Sequence, residues 1–188
     1  MVVGIYEAGR GPLAGVVVAC ALHLREKEPP FAVKDSKALG AEARERVFSW
    51  LIAHADFSVG IASVTEIDKF NILEATFLAF NRAIEKLLKK FPRLWQADFI
   101  IDGNMFRTDL NLNYTCVEKA DENIREVACA SVIAKVTRDH LMSHLDFLYP
   151  QWNFSKHKGY PTAEHFSLLK KHALTPFHRR SFTPCKET

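Results

Sequence analysis

The 188-residue sequence has no apolar run long enough to cross a bilayer, and its first residues enter a short apolar segment directly, with neither a basic stretch nor a secretory core. A soluble, cytoplasmic protein is expected, with no membrane partner. The four cysteines, Cys20, Cys116, Cys129 and Cys185, form no C-x-x-C pair, and three lie inside apolar segments. This argues against a structural zinc site and predicts reduced thiols that pack as small hydrophobes. There is no internal repeat, low-complexity tract or linker, so a single domain over residues 1–188 is expected. The glycines lack dinucleotide or P-loop spacing, and no G-x-S-x-G elbow supports a serine hydrolase. His140 and His144 have helical spacing, but Leu141 stands where a metalloprotease helix carries Glu, so both read as surface histidines.

What is present is an ordinary globular composition, 48% hydrophobic and 25% charged, long enough to bury a sizeable core. The net charge of +3 is mild but uneven. From Tyr149 onward seven Lys and Arg face two Glu, so residues 149–188 carry +5 and the rest carries −2. A basic end beside an acidic body suits a protein that grips a polyanion at one place and holds cations at another; a solvated basic surface is the plain alternative.

Along the chain, Val2, Val3 and Ile5 read as a buried strand, with Tyr6 and Glu7 at its carboxyl end and the loop Gly9-Arg10-Gly11 beyond. Glycine lets a backbone approach a ligand closely, and a guanidinium between glycines can grip phosphate as a fork; taken alone, the fragment is better read as a strand followed by a surface turn. Residues 16–24 and 57–64 read as two more strands of an antiparallel meander, separated by a helix over 41–53. A long amphipathic helix is expected over 72–91, ended by Pro92. Residues 97–101 form an apolar strand stopped by Asp102, expected in the sheet interior and parallel to an earlier strand through a right-handed crossover. A fifth strand follows at 114–117. Asp121 then heads a helical stretch to about Leu148, a last helix spans about 162–172, and residues 175–184 read as a basic irregular tail.

Three acidic residues, Glu7, Asp102 and Asp121, thus fall where strands end or helices begin. Carboxylates converging from separate strands make an oxygen-rich pocket suited to a hard cation such as Mg²⁺ or Mn²⁺. Each also has a structural reading: Asp121 as an N-cap, Asp102-Gly103 as a turn, Glu7 as a solvated loop residue. Together with the glycine-Arg-glycine loop and the basic end, the balance favours a metal-dependent enzyme acting on nucleic acid.

Seven segments carry a resemblance: GIYEAGRGPLAG from Gly4, DSKAL at 35–39, IDKFNILEATFLAF at 67–80, IDGN at 101–104, KADENIREVACASVIAKVTRD at 119–139, KGYPT at 158–162 and HRRSF at 178–182. In this order and over nearly the whole chain, they resemble ribonuclease HII, of the type 2 ribonuclease H family. The resemblance implies an α/β ribonuclease H-like fold, a five-stranded mixed sheet flanked by helices with a helical C-terminal extension. It implies an endonuclease that hydrolyses the RNA strand of RNA/DNA hybrids, and single ribonucleotides embedded in duplex DNA, leaving 5′-phosphate and 3′-hydroxyl ends, as in ribonucleotide excision. Four carboxylates would bind two divalent metals, Mg²⁺ or Mn²⁺; three would be Glu7, Asp102 and Asp121. Gly9, Arg10 and Gly11 with Tyr160 would recognise the ribose 2′-hydroxyl, while Lys37, together with Lys156, Lys158, Arg179 and Arg180 of a substrate-binding segment over 149–188, would contact phosphates. A monomer is expected.

The departure is at Tyr6, which stands where the family's strand-end pair begins with Asp. A phenol has a reference pKa near 10 and presents one neutral oxygen at pH 7, so it serves a hard cation poorly and puts occupancy of the two-metal site in question. The expectation is a weakened or inactive nuclease, or alternatively a catalytically silent protein that binds RNA/DNA hybrids.

Overall fold

The computed structural model describes residues 1–25 and 40–186. Lys37, and with it one expected phosphate contact, falls outside the described residues. Strand β1 (Val2–Ala8) pairs antiparallel with β2 (Val17–Leu24). Helix α1 (Ala41–His54) leads into β3 (Ala55–Ala62), which pairs antiparallel with β2 and completes the meander. Two helices follow, α2 (Val64–Phe70) and the long α3 (Ile72–Lys90), then β4 (Asp98–Asp102) and β5 (Asn113–Val117). Both β4 and β5 are parallel additions, giving a five-stranded mixed sheet in the order β3-β2-β1-β4-β5. As the apolar run at 97–101 suggested, β4 is an interior strand.

Helix α2 is not among the expected elements: the strand expected over 57–64 stops at Ala62, and Val64 opens the helix. Its start is marked by a capping box, in which the Ser63 hydroxyl accepts the Glu66 N–H at 3.2 Å and the Glu66 carboxylate accepts the Ser63 N–H at 2.8 Å. Helix α3 buries Phe77, Phe80, Ile84, Leu87 and Leu88 as its spacing predicts, against Val3 and Ile5 of β1 and the inward residues of β2 and β4.

The opposite sheet face is covered by α5 (Arg125–Leu148), reached through the single turn α4 (Ala120–Asn123). The expected continuous helix from Asp121 is broken at Ile124, whose backbone is extended (φ −118°, ψ 114°). The small residues Ala128, Ser131 and Ala134 let α5 lie close on the sheet. Gly4 sets the contact with β1: a Cβ there would sit 2.2 Å from the Glu126 carbonyl carbon, so no other residue fits.

A third apolar cluster joins Leu13 and Ala14 of the glycine loop to Met142 and Leu145 of α5 and to Trp152, Phe154, Leu169 and Cys185 of the C-terminal region. That region contains the short helices α6 (Phe154–His157) and α7 (Ala163–Leu169), the latter capped by Thr162. Its end is irregular in backbone, as expected, but it is not simply a solvated tail. Ala14 bridges to His178, the Arg179 N–H donates to the Leu13 carbonyl at 2.8 Å, and both His178 and Arg179 are buried. All four cysteines are free thiols, and no helix among the described residues is long and apolar enough to cross a membrane.

Candidate active site

The parallel pairing of β1 with β4 runs in register to Ile5↔Ile101, so the next residues, Tyr6 and Asp102, stand side by side, Asp102 as the last residue of β4 and Tyr6 two residues before the end of β1. The strand period of two puts both on the α5 face, with Glu7 on the opposite side of β1. Asp121 enters from α4, held there by Asp102 itself: the Asp102 Oδ1 accepts the Ala120 N–H at 2.8 Å. The N-cap position of α4 belongs to Lys119, in the left-handed region at φ 55°, with no side-chain cap of its own. The N-cap reading of Asp121 is therefore overturned. Asp121 is a buried residue in the body of that turn, and the aspartate that ties down the turn comes from another strand.

These residues feel one another. Burial, and then the negative charges of Asp121, Glu7 and Asp102, drive the Tyr6 hydroxyl well above the ordinary phenol range, so it stays protonated. Burial also pushes the Glu7 carboxyl up to about 7, against the pull of Arg10 and with a further push from Asp102. The Arg10 guanidinium lies 3.5 Å from Glu7 Oε1, whereas Glu7 Oε2 is buried with no hydrogen-bond partner among the described residues. The Tyr6 ring packs into the α5-side core, and the Lys135 ammonium lies 5.4 Å from its centroid.

Whether this set fits a pair of divalent cations can be judged from its donors. Tyr6 offers a neutral phenol, one Asp102 oxygen is committed to the Ala120 amide, and no three Asp, Glu, His or Cys side chains among the described residues converge closely enough to hold a metal. Glu7 keeps an unmet demand for positive charge, but the residues present do not fit a two-cation centre.

The glycine loop and Tyr160 also come together. A Cβ on Gly11 would lie 3.9 Å from Tyr160 Cε1, and the exposed Tyr160 ring faces the Arg138 guanidinium at 5.8 Å. Gly9 adopts φ +99°, and a Cβ there would sit 2.2 Å from Arg138 Nε. Of the basic residues expected on phosphates, Arg180 is exposed, with its N–H donating to the Asp68 carboxylate at 3.0 Å.

Arg179 requires a correction. It is fully buried, and it donates to the carbonyls of Arg10 (2.8 Å), Gly9 (2.5 Å) and Gly15 (2.8 and 2.9 Å). Its guanidinium is consumed by the loop and does not reach solvent. Burial, and next the nearby Arg138 charge, pull its pKa down to about 9. Arg138 was not singled out from the sequence, yet it is equally buried and donates to Val16 O (3.1 Å), Ala14 O (3.0 Å) and Lys158 O (2.9 Å). The signal was available: Ala134, Arg138 and Met142 share one helical stripe, and an arginine on an otherwise apolar stripe marks a buried charge.

The Ribonuclease HII family profile matches residues 3–185. A ribonuclease HII of Magnetococcus marinus is 45% identical over 184 residues, covering 98% of this chain and 85% of that protein. The crystal structure of the ribonuclease H2 from Pyrococcus horikoshii superposes with a TM-score of 0.74 at 26% identity, covering 99% of this chain and 95% of that one. Bst-RNase HIII in complex with Mn²⁺ has the same fold, with a TM-score of 0.74 at 20% identity over 99% of this chain and 68% of that one. A family profile matched over residues 3–185, and a sequence alike from end to end on a five-stranded mixed sheet, place this chain in the ribonuclease HII family.

Proposed function

We propose that this chain is an endoribonuclease of the ribonuclease HII type whose hydrolytic step is impaired at Tyr6. Its substrates are the RNA strand of RNA/DNA hybrids and single ribonucleotides embedded in duplex DNA, cut to 5′-phosphate and 3′-hydroxyl ends in ribonucleotide excision. It acts as a cytoplasmic monomer, one domain over 1–188, with residues 149–188 contributing to substrate binding. The observation that carries this reading is the bond from Asp102, the last residue of β4, to the turn that carries Asp121, beside the strand that bears Tyr6 and Glu7 and leads into the loop that brings Gly11 beside Tyr160. Mg²⁺ or Mn²⁺ is the cofactor this reading entails; Glu7, Asp102 and Asp121 are the residues that would face it, and as they stand they fall short of a two-cation set, which is the impairment proposed.

The residues of this chain divide the work by chemistry. Glycine amides and a tyrosine can approach a sugar closely enough to tell ribose from deoxyribose, which is the task assigned to Gly9, Arg10, Gly11 and Tyr160. Lys37 and Arg180 are assigned to phosphates, where they position the duplex without reading its sequence. Tyr6 fills the corner an aspartate would occupy and brings no charge to it.

A second reading, a catalytically silent hybrid-binding protein, is favoured by the same Tyr6, seated in the core with its ring against Lys135. One experiment separates the two: cleavage of a duplex carrying one ribonucleotide, in Mg²⁺ and in Mn²⁺, with binding measured on the same duplex. Slow cleavage 5′ to the ribonucleotide supports the impaired enzyme. Binding with no cleavage in either metal supports the silent binder, and neither binding nor cleavage rejects both.

A further inference from the structure

Two guanidiniums lie buried beneath the glycine loop, and all their hydrogen-bond acceptors among the described residues are main-chain carbonyls. Burying a cation with no carboxylate among its hydrogen-bond acceptors is costly. A loop that needed only anchoring could be held more cheaply by apolar contacts, such as those Leu13 already makes in the third cluster. What a guanidinium adds is orientation, because its donors form a rigid planar fork and fix the direction of each carbonyl they engage.

The direction matters at Gly9 and Arg10. In a trans peptide the N–H points opposite to the C=O. With the Gly9 and Arg10 carbonyls turned down onto Arg179, the amides of Arg10 and Gly11 are turned away from the buried guanidinium. Neither amide makes a main-chain hydrogen bond among the described residues. A Cβ on Gly11 would lie 3.9 Å from the Tyr160 ring, and Tyr160 belongs to the segment that Arg138 grips through the Lys158 carbonyl while it also holds Ala14 and Val16.

We propose that Arg179 is a specificity-positioning residue: it sets the two peptide planes that aim the Arg10 and Gly11 amides at the ribose 2′-hydroxyl, while Arg138 locks the Tyr160 segment to the same frame. The inference rests on the assignment of the glycine loop and Tyr160 to ribose recognition. A hydroxyl can accept from such amides through its oxygen lone pairs, and a deoxyribose offers nothing in return. Arg179 itself touches no substrate.

The test measures binding, so it is independent of the defect at Tyr6. The ratio of Kd values for an all-DNA duplex and the same duplex with one ribonucleotide is compared for the parent and Arg179→Lys, alongside Tm. A lysine keeps the charge but cannot hold three carbonyls in one plane, so the expected result is a ratio reduced about tenfold, as for the loss of one or two hydrogen bonds, with Tm near the parent value. General loosening of the protein would move both Kd values and leave the ratio unchanged. An unmoved ratio in a folded Arg179→Lys protein overturns the proposal while leaving ribose recognition intact. A parent ratio near one overturns the ribose assignment beneath it, and the proposal with it. If Arg179→Lys does not fold, Gly11→Pro decides, since it deletes one of the two amides: a collapsed ratio supports the proposal and an unmoved one overturns it.

Discussion

The Asp102 carboxylate at the end of β4 accepts the main-chain N–H of Ala120 at 2.8 Å, and this one bond ties the strand end to the turn that carries Asp121. One side chain thus serves the acidic cluster and the backbone together. The arrangement explains how a four-residue helix, far too short to be stable alone, presents a buried carboxylate at a fixed place.

The two roles of Asp102 respond differently to substitution. Asn at position 102 retains an oxygen acceptor for the Ala120 amide, so Asp102→Asn should unfold near the parent midpoint in urea. Asp102→Ala leaves that amide without its acceptor and should cost about 1–2 kcal/mol. Equal midpoints for Asp102→Ala and the parent would show that the bond does not hold α4 in place.

The two neighbouring arginines of the HRRSF segment should part company in a salt titration. Arg180 is exposed, with its backbone pinned by Asp68, whereas the Arg179 guanidinium is buried. A contact to one phosphate releases about one condensed counterion, so Arg180→Ala should reduce the slope of log Kd against log salt by about one for a duplex of any sequence. An unchanged slope would remove Arg180 from the phosphate backbone.

Much of the fold was readable from periodicity. The three-strand meander, the amphipathic α3 and the interior β4 follow from alternation, a 3.6-residue stripe and an uninterrupted apolar run. Three things were not. Helix α2 hid behind β-like residues, although its Ser63-x-x-Glu66 capping box was a local signal. The break at Ile124 has no local marker, and the turn before it is tied by the Asp102–Ala120 bond between residues 18 apart, which no local pattern reveals. Arg179 looked like a surface cation since charge in an irregular tail is usually solvated; its burial depends on contacts with residues 9–15, beyond the reach of any local pattern. Of the candidate site residues, Glu7 and Asp102 are legible where apolar runs stop and Asp121 where a helical stretch begins, whereas Tyr6 stands out only through the family resemblance.

Acid sensitivity should come from the C-terminal histidines. The Thr175 N–H donates to His178 Nδ1 at 3.0 Å, which leaves the neutral His178 ring its proton on Nε2, facing His165 Nε2 at 3.2 Å. His165 then carries its proton on Nδ1 and donates to the Tyr160 carbonyl at 3.0 Å. Burial first, and then the neighbouring charges of His165, His157 and Arg180, pull His178 down to about 3; burial and His157 pull His165 down to about 4. The unfolded chain therefore binds protons before the folded one does. Stability is fully present above about pH 6.5 and is lost as pH falls toward about 4, by at most about 1.4 kcal/mol per pH unit for each group. Glu7, with its raised pKa, has the opposite sign, its contribution being lost as pH rises from about 4.5 through about 7. Urea midpoints between pH 7 and pH 4 should fall more steeply for the parent than for His178→Gln; parallel curves would show that these histidines do not drive the loss.

The acidic cluster is best tested with Tyr6 and Asp121 together. Tyr6→Asp returns a carboxylate beside Asp102 near the end of β1, and supplying several kcal/mol of charge stabilisation to a metal-assisted reaction corresponds to roughly hundreds- to ten-thousand-fold in rate. Cleavage of a single-ribonucleotide duplex in Mg²⁺ should rise accordingly, and an unchanged rate would show that position 6 is not the defect. Asp121→Asn in that restored background then tests the buried aspartate. Because Asp121 is not the N-cap of α4, its replacement by an amide of the same shape should not cost capping energy. Because its charge is the leading electrostatic influence on the residue 6 side chain after burial, removing it should relieve repulsion in a cluster that now holds one more carboxylate. The metal-free Tm should therefore stay level or rise. Cleavage should fall, since an amide offers one neutral oxygen where a hard cation needs a charged one. A stable protein that has lost activity across a Mg²⁺ titration assigns Asp121 to metal binding. A protein that loses Tm and activity in proportion assigns it to the fold, and full activity at ordinary Mg²⁺ removes it from the site.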